Sequence, residues 1–329
     1  MIERRITNSR VLVTGAAGFI GSNLVEDLLF NGNEVVGFDN LITGKAENLS
    51  AFLDHPKFKF VEADIRDLEA CKKACDGIDY VLHQAALGSV PRSIKDPLTT
   101  NDINVNGFLN MLLAARDAKV KRFVYATSSS VYGDEKRLPK VEAKIGKPLS
   151  PYAITKAMNE RYATVFGELY GMETIGLRYF NVFGPKQDPN GVYAAAIPKF
   201  IGLLIRHESP LIHGDGTQSR DFTYIDNVID ANNIAALSTN PESINEIFNV
   251  AYGESTNLNE LVEVLQELLI PFDSKIAEVE VKFGPERVGD VRHSLASIVK
   301  SNTMLGYRPK YDLKSGLEKA IKWYWDNLQ

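Results

Sequence analysis

The chain has 329 residues, is 44% hydrophobic and carries a net charge of −5 from 37 basic and 42 acidic side chains. That is enough apolar material for one large or two smaller domains, and the absence of a basic block argues against nucleic acid as a partner. Cys71 and Cys75 sit four apart in a helical stretch with no metal ligand beside them, and the five histidines show no HExxH or HxH spacing, so reduced thiols and no metal site are expected. No run approaches the roughly 18 apolar residues of a membrane span, and Met1–Arg5 is not followed by the apolar stretch of a signal peptide, so the chain reads as cytoplasmic.

The first element is the apolar run Arg10-Val11-Leu12-Val13-Thr14, which reads as a buried parallel strand. Gly15-Ala16-Ala17-Gly18-Phe19-Ile20-Gly21 follows and opens a helix running through Phe30. Glycines at such a turn let a pyrophosphate approach main-chain N–H groups, and the helix N-terminus behind them favours the anion. A second strand, Glu34 to Asp39, ends in an acid 18 residues beyond Gly21. A carboxylate at about that distance suits the adenosine ribose and would repel a 2′-phosphate, so NAD is expected over NADP.

Phe58 to Asp64 reads as a third strand, Leu68 to Cys75 as a helix, and Tyr80 to His83 as a fourth strand ending at Gln84-Ala85-Ala86. A long helix is expected from about Leu98 to Ala118, and a fifth strand over Arg122 to Thr127. Thr127-Ser128-Ser129-Ser130 closes that strand; a serine there can donate to a substrate oxygen, although hydroxyls also cap ordinary strand ends.

Ser150-Pro151-Tyr152-Ala153-Ile154-Thr155-Lys156 then starts a helix, with Ser150 as cap and Pro151 in the first turn. Tyr152 and Lys156, one turn apart, share a face. A nearby ammonium lowers a phenol's pKa, and a base able to deprotonate an alcohol near neutrality needs such help. Alone, the spacing is also that of a half-buried Tyr beside a solvated Lys.

A sixth strand over Thr174 to Arg178 completes an alternation of strands and helices that predicts a doubly wound, Rossmann-type parallel sheet with ligands at the strands' carboxyl ends. The pattern loosens from Asn181, through a turn-rich loop at Gly184 to Gly191, a helix near Ile197 to Arg206, another over Leu258 to Leu269, and a last one over Leu313 to Trp325. Residues 1–180 are therefore expected to form the NAD-binding domain and 181–329 a smaller mixed α/β substrate lobe, with segments near 224–251 returning to the large sheet.

Thr14-Gly15-x-x-Gly18-x-x-Gly21, Asp39-Asn40, Asp64-Ile65, Ala85-Ala86, Ser128 and Tyr152-x-x-x-Lys156, taken in order, resemble the extended short-chain dehydrogenase/reductase family, in its nucleotide-sugar branch. The resemblance extends through Arg178 to Pro185, Arg220-Asp221-Phe222 and Arg287-Val288-Gly289-Asp290. It implies NAD held by the glycine loop with Phe19 and Ile20, by Asp39, Asn40, Asp64, Ile65, Ala85 and Ala86, and by Tyr152 and Lys156. It also implies a substrate diphosphate held by Asn181, Arg220 and Arg287, which agrees with the fit of guanidinium donors to phosphate oxygens. A homodimer is implied as well, pairing the helices near Leu98–Ala118 and Tyr152–Tyr170.

Dehydratases of this branch carry Asp-Glu after the threonine, whereas Ser128 and Ser129 stand here and cannot serve as carboxyl groups. Non-catalytic NAD-sensing regulators on the same fold typically lose the Tyr or the Lys, and both are present. The chain is most similar to the bacterial epimerases acting on N-acetylated UDP-hexoses, through Gly88-Ser89-Val90-Pro91-Arg92-Ser93, Ser128 to Ser130, Gly191 to Pro198 (which includes Ala195) and Arg292-His293-Ser294. That resemblance implies NAD-dependent interconversion of UDP-GlcNAc and UDP-GalNAc at C4 through a 4-keto sugar. Tyr152 would act as acid and base, with Lys156 and Ser128 assisting, and the small Ser294 would leave room for the acetamido group. UDP-N-acetylhexosaminuronate and UDP-glucose/galactose remain alternative substrates.

Overall fold

The computed structural model describes residues 4–189, 195–285 and 292–328. Six strands, β1 (Arg10–Thr14), β2 (Glu34–Asp39), β3 (Phe58–Glu62), β4 (Tyr80–His83), β5 (Arg122–Ser128) and β6 (Thr174–Tyr179), alternate with helices α1 (Phe19–Phe30), α2 (Leu68–Cys75), α3 (Val90–Lys95), α4 (Pro97–Asn101), α5 (Phe108–Asp117) and α6 (Pro151–Tyr170). With Glu246–Val250 they form one seven-stranded sheet in the order Glu246–Val250, β6, β5, β4, β1, β2, β3. Every pairing in it is parallel. This is the Rossmann-type α/β fold read from the alternation.

Side chains alternate across the sheet, as a strand covered on both faces requires. Val11, Val13, Val124 and Leu177 pack into a core with Leu24, Leu28 and Val228 on one face. Leu12, Phe38, Val81, Phe123 and Tyr125 pack with Phe108, Met111 and Phe166 on the other. Strand order reverses at β1, whose Thr14 lies opposite both Phe38 of β2 and His83 of β4. A ligand crevice opens at such a reversal, beyond the carboxyl ends of the strands.

The long helix expected from Leu98 starts at Pro97, capped by the Asp96 side chain, which accepts from Thr99 N at 3.1 Å. It is not uniform, because Asp102–Gly107 is wound as a π-helical turn between α4 and α5. That turn brings the buried Asn104 to the loop after β4, where its Oδ1 accepts from Leu87 N at 2.7 Å and its Nδ2 donates to Thr155 Oγ1 of α6 at 3.1 Å. Gly107 allows the close approach, since a Cβ there would lie 2.5 Å from Ile65.

Beyond β6 the strands are short and paired over long separations. Val182–Phe183 pairs with Thr223–Tyr224, Leu211–His213 with Lys282–Gly284, and Ser219–Arg220 with Thr256–Asn257. The helix Ile225–Ala236 packs on α1, β5 and β6. The helix Leu258–Leu269 is fixed at its start by a reciprocal cap between Asn257 and Glu260. No helix among the described residues is long and apolar enough to cross a membrane.

Candidate active site

The glycine loop is shaped for close backbone approach. Gly15 has φ +68°, and a Cβ on it would lie 2.8 Å from Ala85 N; a Cβ on Gly21 would lie 2.0 Å from the Gly15 carbonyl oxygen. Gly18 N donates to Gly15 O at 3.0 Å, and Gly18 stands at the N-cap of α1 with no side chain over the free amides. Behind the loop, Thr14 Oγ1 lies 2.8 Å from His83 Nδ1 and accepts from Ala85 N at 3.2 Å. Burial pushes His83 down to about 3, so this histidine is neutral.

Asp39 is buried, and its carboxylate accepts from Ala17 N at 2.9 Å and Leu41 N at 2.8 Å. Burial raises its pKa, and the backbone amides oppose that. Asn40 Nδ2 donates to Asp64 at 2.7 Å. Asp64 in turn is held down to about 2, first by its hydrogen bonds from Arg66. Gly15, Gly18, Asp39, Asn40, Ile65, Ala85 and Ala86 line one small hollow. These residues fit a dinucleotide, with the adenosine toward Asp39 and the diphosphate over the glycines.

The hollow is continuous with a cleft of about 510 Å³ that Gly15, Gly18, Phe19, Ile20, Gly21, Ala86 and Gly88 line from one side and Ser128, Ser129, Tyr152, Lys156 and Asn181 from the other. Ser150 caps α6, accepting from Ala153 N at 3.1 Å, and Pro151 fills its first position, so Tyr152 and Lys156 project from the first turns onto the end of β5. Lys156 is buried, and its Nζ donates to Ala126 O at 2.8 Å. Burial pushes this ammonium down to about 8, and Glu160 one turn on opposes the fall.

The Tyr152 phenol is raised by burial, and its hydrogen bond with Ser128 opposes the rise. This differs from the expectation that Lys156 lowers it. The ammonium is directed to the Ala126 carbonyl, and loss of solvent outweighs the remaining influences on the phenol.

A second, larger cleft of about 810 Å³ joins the first at Gly88, Asn181 and Val182. Ser89, Ala195 and Arg220 line it. Ser89 also caps α3. Asn181 adopts φ +31° and donates from Nδ2 to Asp221 O at 3.0 Å. Arg220 Nη1 donates to Arg292 O at 3.1 Å. The fully buried Asp221 ties this wall together, accepting from Tyr252 N and Ala296 N, each at 3.1 Å; burial pushes its carboxyl up to about 7.

Three sequence candidates stand apart from these walls: Asp64, which supports Asn40 from behind, Ser294 and Ser130. Ser294 is bound edge-on to Ser219, its N donating to Ser219 O at 3.0 Å, and it lines neither cleft. Ser130 turns inward after β5. Its N donates to Ser128 Oγ, and its own Oγ is buried without a hydrogen-bond partner among the described residues. Arg287 lies outside the described residues, as does the stretch Gly191 to Ala194.

Other contributors went unread in the sequence. Tyr179 Oη donates to Gln84 Oε1 at 3.1 Å and accepts from Asn232 Nδ2 at 2.9 Å, and Tyr179 and Gln84 both line the cofactor cleft. Nothing in their spacing announces this ring of three. Glu160 also went unread, although its place on the Tyr152–Lys156 face at the next turn is a spacing that could have found it.

This glycine loop, acid-tipped second strand and Tyr–Lys helix on a doubly wound sheet define a nucleotide-binding α/β enzyme. Residues 11–251 match the model of the NAD dependent epimerase/dehydratase family, and the chain belongs to that family. It is 39% identical to a putative UDP-glucose 4-epimerase of Methanocaldococcus jannaschii, over 96% of this chain and 99% of that one. Among solved structures it superposes with TM-score 0.90 on a UDP-N-acetylglucosamine 4-epimerase from Methanobrevibacter ruminantium in complex with UDP-N-acetylmuramic acid, at 39% identity over 97% of this chain and 99% of that one. It superposes with TM-score 0.87 on a UDP-glucuronic acid 4-epimerase from Bacillus cereus bound to UDP-glucuronic acid and NAD, at 33% identity over 97% and 100%. The cofactor of this chain is NAD.

Proposed function

We propose that the chain interconverts UDP-GlcNAc and UDP-GalNAc at C4, with Tyr152 as the acid and base. The chain is a UDP-sugar 4-epimerase, an isomerase. One observation carries the chemistry. Tyr152, Lys156 and Ser128 line the same cleft as the glycine loop, and the positions after Thr127 are serines, with no carboxyl group there to eliminate water.

NAD, which the glycine loop and Asp39 would hold, would supply a reversible hydride acceptor for C4 of the sugar. Tyr152, in its phenolate form, takes the proton of the C4 hydroxyl, with the Lys156 ammonium favouring that form, and returns the proton after the sugar has turned. Ser128, which lines the same cleft as Tyr152, holds the C4 oxygen in either orientation. Asn181 and Arg220 hold the diphosphate in the larger cleft, with Arg287 as a further candidate from the sequence, and this leaves the hexose free to turn. Gly88, Ser89 and Ala195 keep the wall of that cleft low, which suits a 2-acetamido group.

One coupled assay on UDP-glucose, UDP-galactose, their N-acetyl forms and UDP-glucuronate tests the reading. The N-acetylated pair is expected to turn over fastest. A wide preference for the unsubstituted hexoses or for the uronate rejects the assignment, and release of a 4-keto-6-deoxy sugar makes the protein a lyase.

The same reading includes a homodimer. Ile154, Met158, Val165 and Leu169 form an exposed apolar stripe along α6, and Ile94 and Leu98 are exposed on the adjoining α3 and α4. An unpartnered apolar face of this kind is usually covered by its two-fold mate. Light scattering is expected to give a dimer mass, and Leu169→Glu to shift it toward the monomer. A wild-type monomer at micromolar concentration contradicts the reading.

A further inference from the structure

The end of β5 holds α6 in register with two matching contacts. The Ala126 carbonyl accepts from Lys156 Nζ at 2.8 Å, and Thr127 Oγ1 donates to Glu160 Oε1 at 2.8 Å. Successive strand residues thus meet helix residues spaced one turn apart. The Glu160 carboxylate is completed from β6, where Arg178 lies in register with Thr127. Arg178 donates from Nε to Oε1 and from Nη2 to Oε2, both at 2.8 Å. Glu160 and Arg178 are 5% and 3% exposed.

A buried ion pair adds little stability over well-packed apolar residues, because both charges lose their hydration. Its place directly behind Tyr152 and Lys156 points to another use. Lys156 is itself 3% exposed, and a buried ammonium tends to lose its proton. A carboxylate one turn along the same helix face, roughly 6 Å away at Cβ, opposes that loss.

We propose that Glu160, fixed by Thr127 and Arg178, is a positioning residue for the reaction: its charge keeps Lys156 protonated, and its hydrogen bonds set the register that aims Tyr152 and Lys156 into the cleft. This rests on the roles of Tyr152 and Lys156 given above.

The groups facing Lys156 agree. Its own helix presents Tyr152 and Glu160, and β5 presents only hydroxyls and the Ala126 carbonyl. The charge-bearing candidate on β4, His83, is neutral. On β6 the Arg178 cation is matched by Glu160, donates from Nη1 to Glu142 O at 3.0 Å, and lies 4.9 Å from the centre of the Tyr132 ring. Glu160 is the charged neighbour that raises Lys156 against its burial.

The sign follows directly. Lys156 is charged below its pKa, so removing the Glu160 charge lowers that pKa, and the ammonium form disappears at lower pH. Glu160→Gln is expected to move the alkaline limb of the turnover profile down by about one pH unit. Arg178→Met leaves the carboxylate and is expected to move that limb upward or leave it in place. A merely structural pair would lower turnover in both variants without opposite pH behaviour. Because Glu160→Gln leaves Arg178 buried alone, the double variant E160Q/R178Q, with amide facing amide, is measured beside it and is expected to shift in the Glu160→Gln direction by less.

The second readout does not need turnover. Acetylation of Lys156 by a limiting dose of acetic anhydride, followed across pH by peptide mass spectrometry, reports its titration in each variant. A downward shift in the labelling profile of the folded variants lacking Glu160 supports the proposal. An unchanged Lys156 profile in those variants overturns it. If wild type turns over no UDP-sugar, the functional reading fails, while the labelling still decides the role of Glu160.

Discussion

The cofactor side of the cleft is made from residues close together in the chain. Gly15, Gly18 and Gly21 belong to one loop and the first turn of the helix it opens, and Tyr152, Lys156 and Glu160 to one helix face. The substrate side is made from residues far apart. Asn181 is held through Asp221, Asp221 by amides at Tyr252, Gly253 and Ala296, and Ser294 by Ser219. The first side is locally determined, because a glycine turn and a capped helix place their own side chains wherever a strand ends. The second exists only once two-residue strands from three parts of the chain have paired, so it is the side that evolution can reshape without disturbing hydride chemistry.

If that contrast is right, the largest effect comes from the locally determined side. Tyr152→Phe removes the phenolic oxygen proposed to move the C4 proton, while the ring and the helix remain. Turnover is expected to fall by at least about 10²-fold, with the thermal midpoint unchanged. Near-normal turnover in this variant would break the mechanism at its centre.

Next comes Gly21→Ala. The added Cβ would fall 2.0 Å from the Gly15 carbonyl oxygen, a backbone atom that cannot swing away. Overpacking of this kind costs about 1–3 kcal/mol or more. It acts on the loop proposed to receive the diphosphate, so the purified variant is expected to lose most of its bound NAD, read by assaying the supernatant after denaturation. A variant that keeps full NAD content shows that the loop is less constrained than its geometry implies.

The same contrast explains what could be read without a structure. The strand–loop–helix of Val11 to Phe30, the acid at Asp39, and the cap-Pro-Tyr-Lys start of α6 are local patterns governed by backbone geometry, and the fold follows from their alternation. The π turn at Asp102–Gly107 could not be read, because it depends on Asn104 reaching both Leu87 and Thr155. Nor could the Gln84–Tyr179–Asn232 ring, since buried polar residues with partners far along the chain look like any others in sequence. Ser294 shows the limit from the other direction. Its small size suggested a place in the sugar wall, but that wall is set by pairing, and its backbone is committed to Ser219, outside the lining of both described clefts.

The smallest expected effect is therefore the most discriminating. Ser294→Tyr adds a side chain to a backbone fixed by the Ser294 N to Ser219 O bond, one residue from Arg220. A tyrosine at this half-buried position has two ways to go. It can turn toward the sugar, where it would meet the 2-acetamido group and spare the unsubstituted hexose. It can instead turn toward solvent, where it touches neither. The first predicts a several-fold fall in turnover for UDP-GlcNAc and UDP-GalNAc, of the size expected for a lost pocket contact of about 1–2 kcal/mol, with little loss or a gain on UDP-galactose. We expect the first, because a bulky side chain gains by burying its ring against the cleft margin. Equal kinetics on both sugar pairs would place the gate elsewhere on the long-range side, leaving Gly88, Ser89 and Ala195, which do line the larger cleft, as the next positions to enlarge.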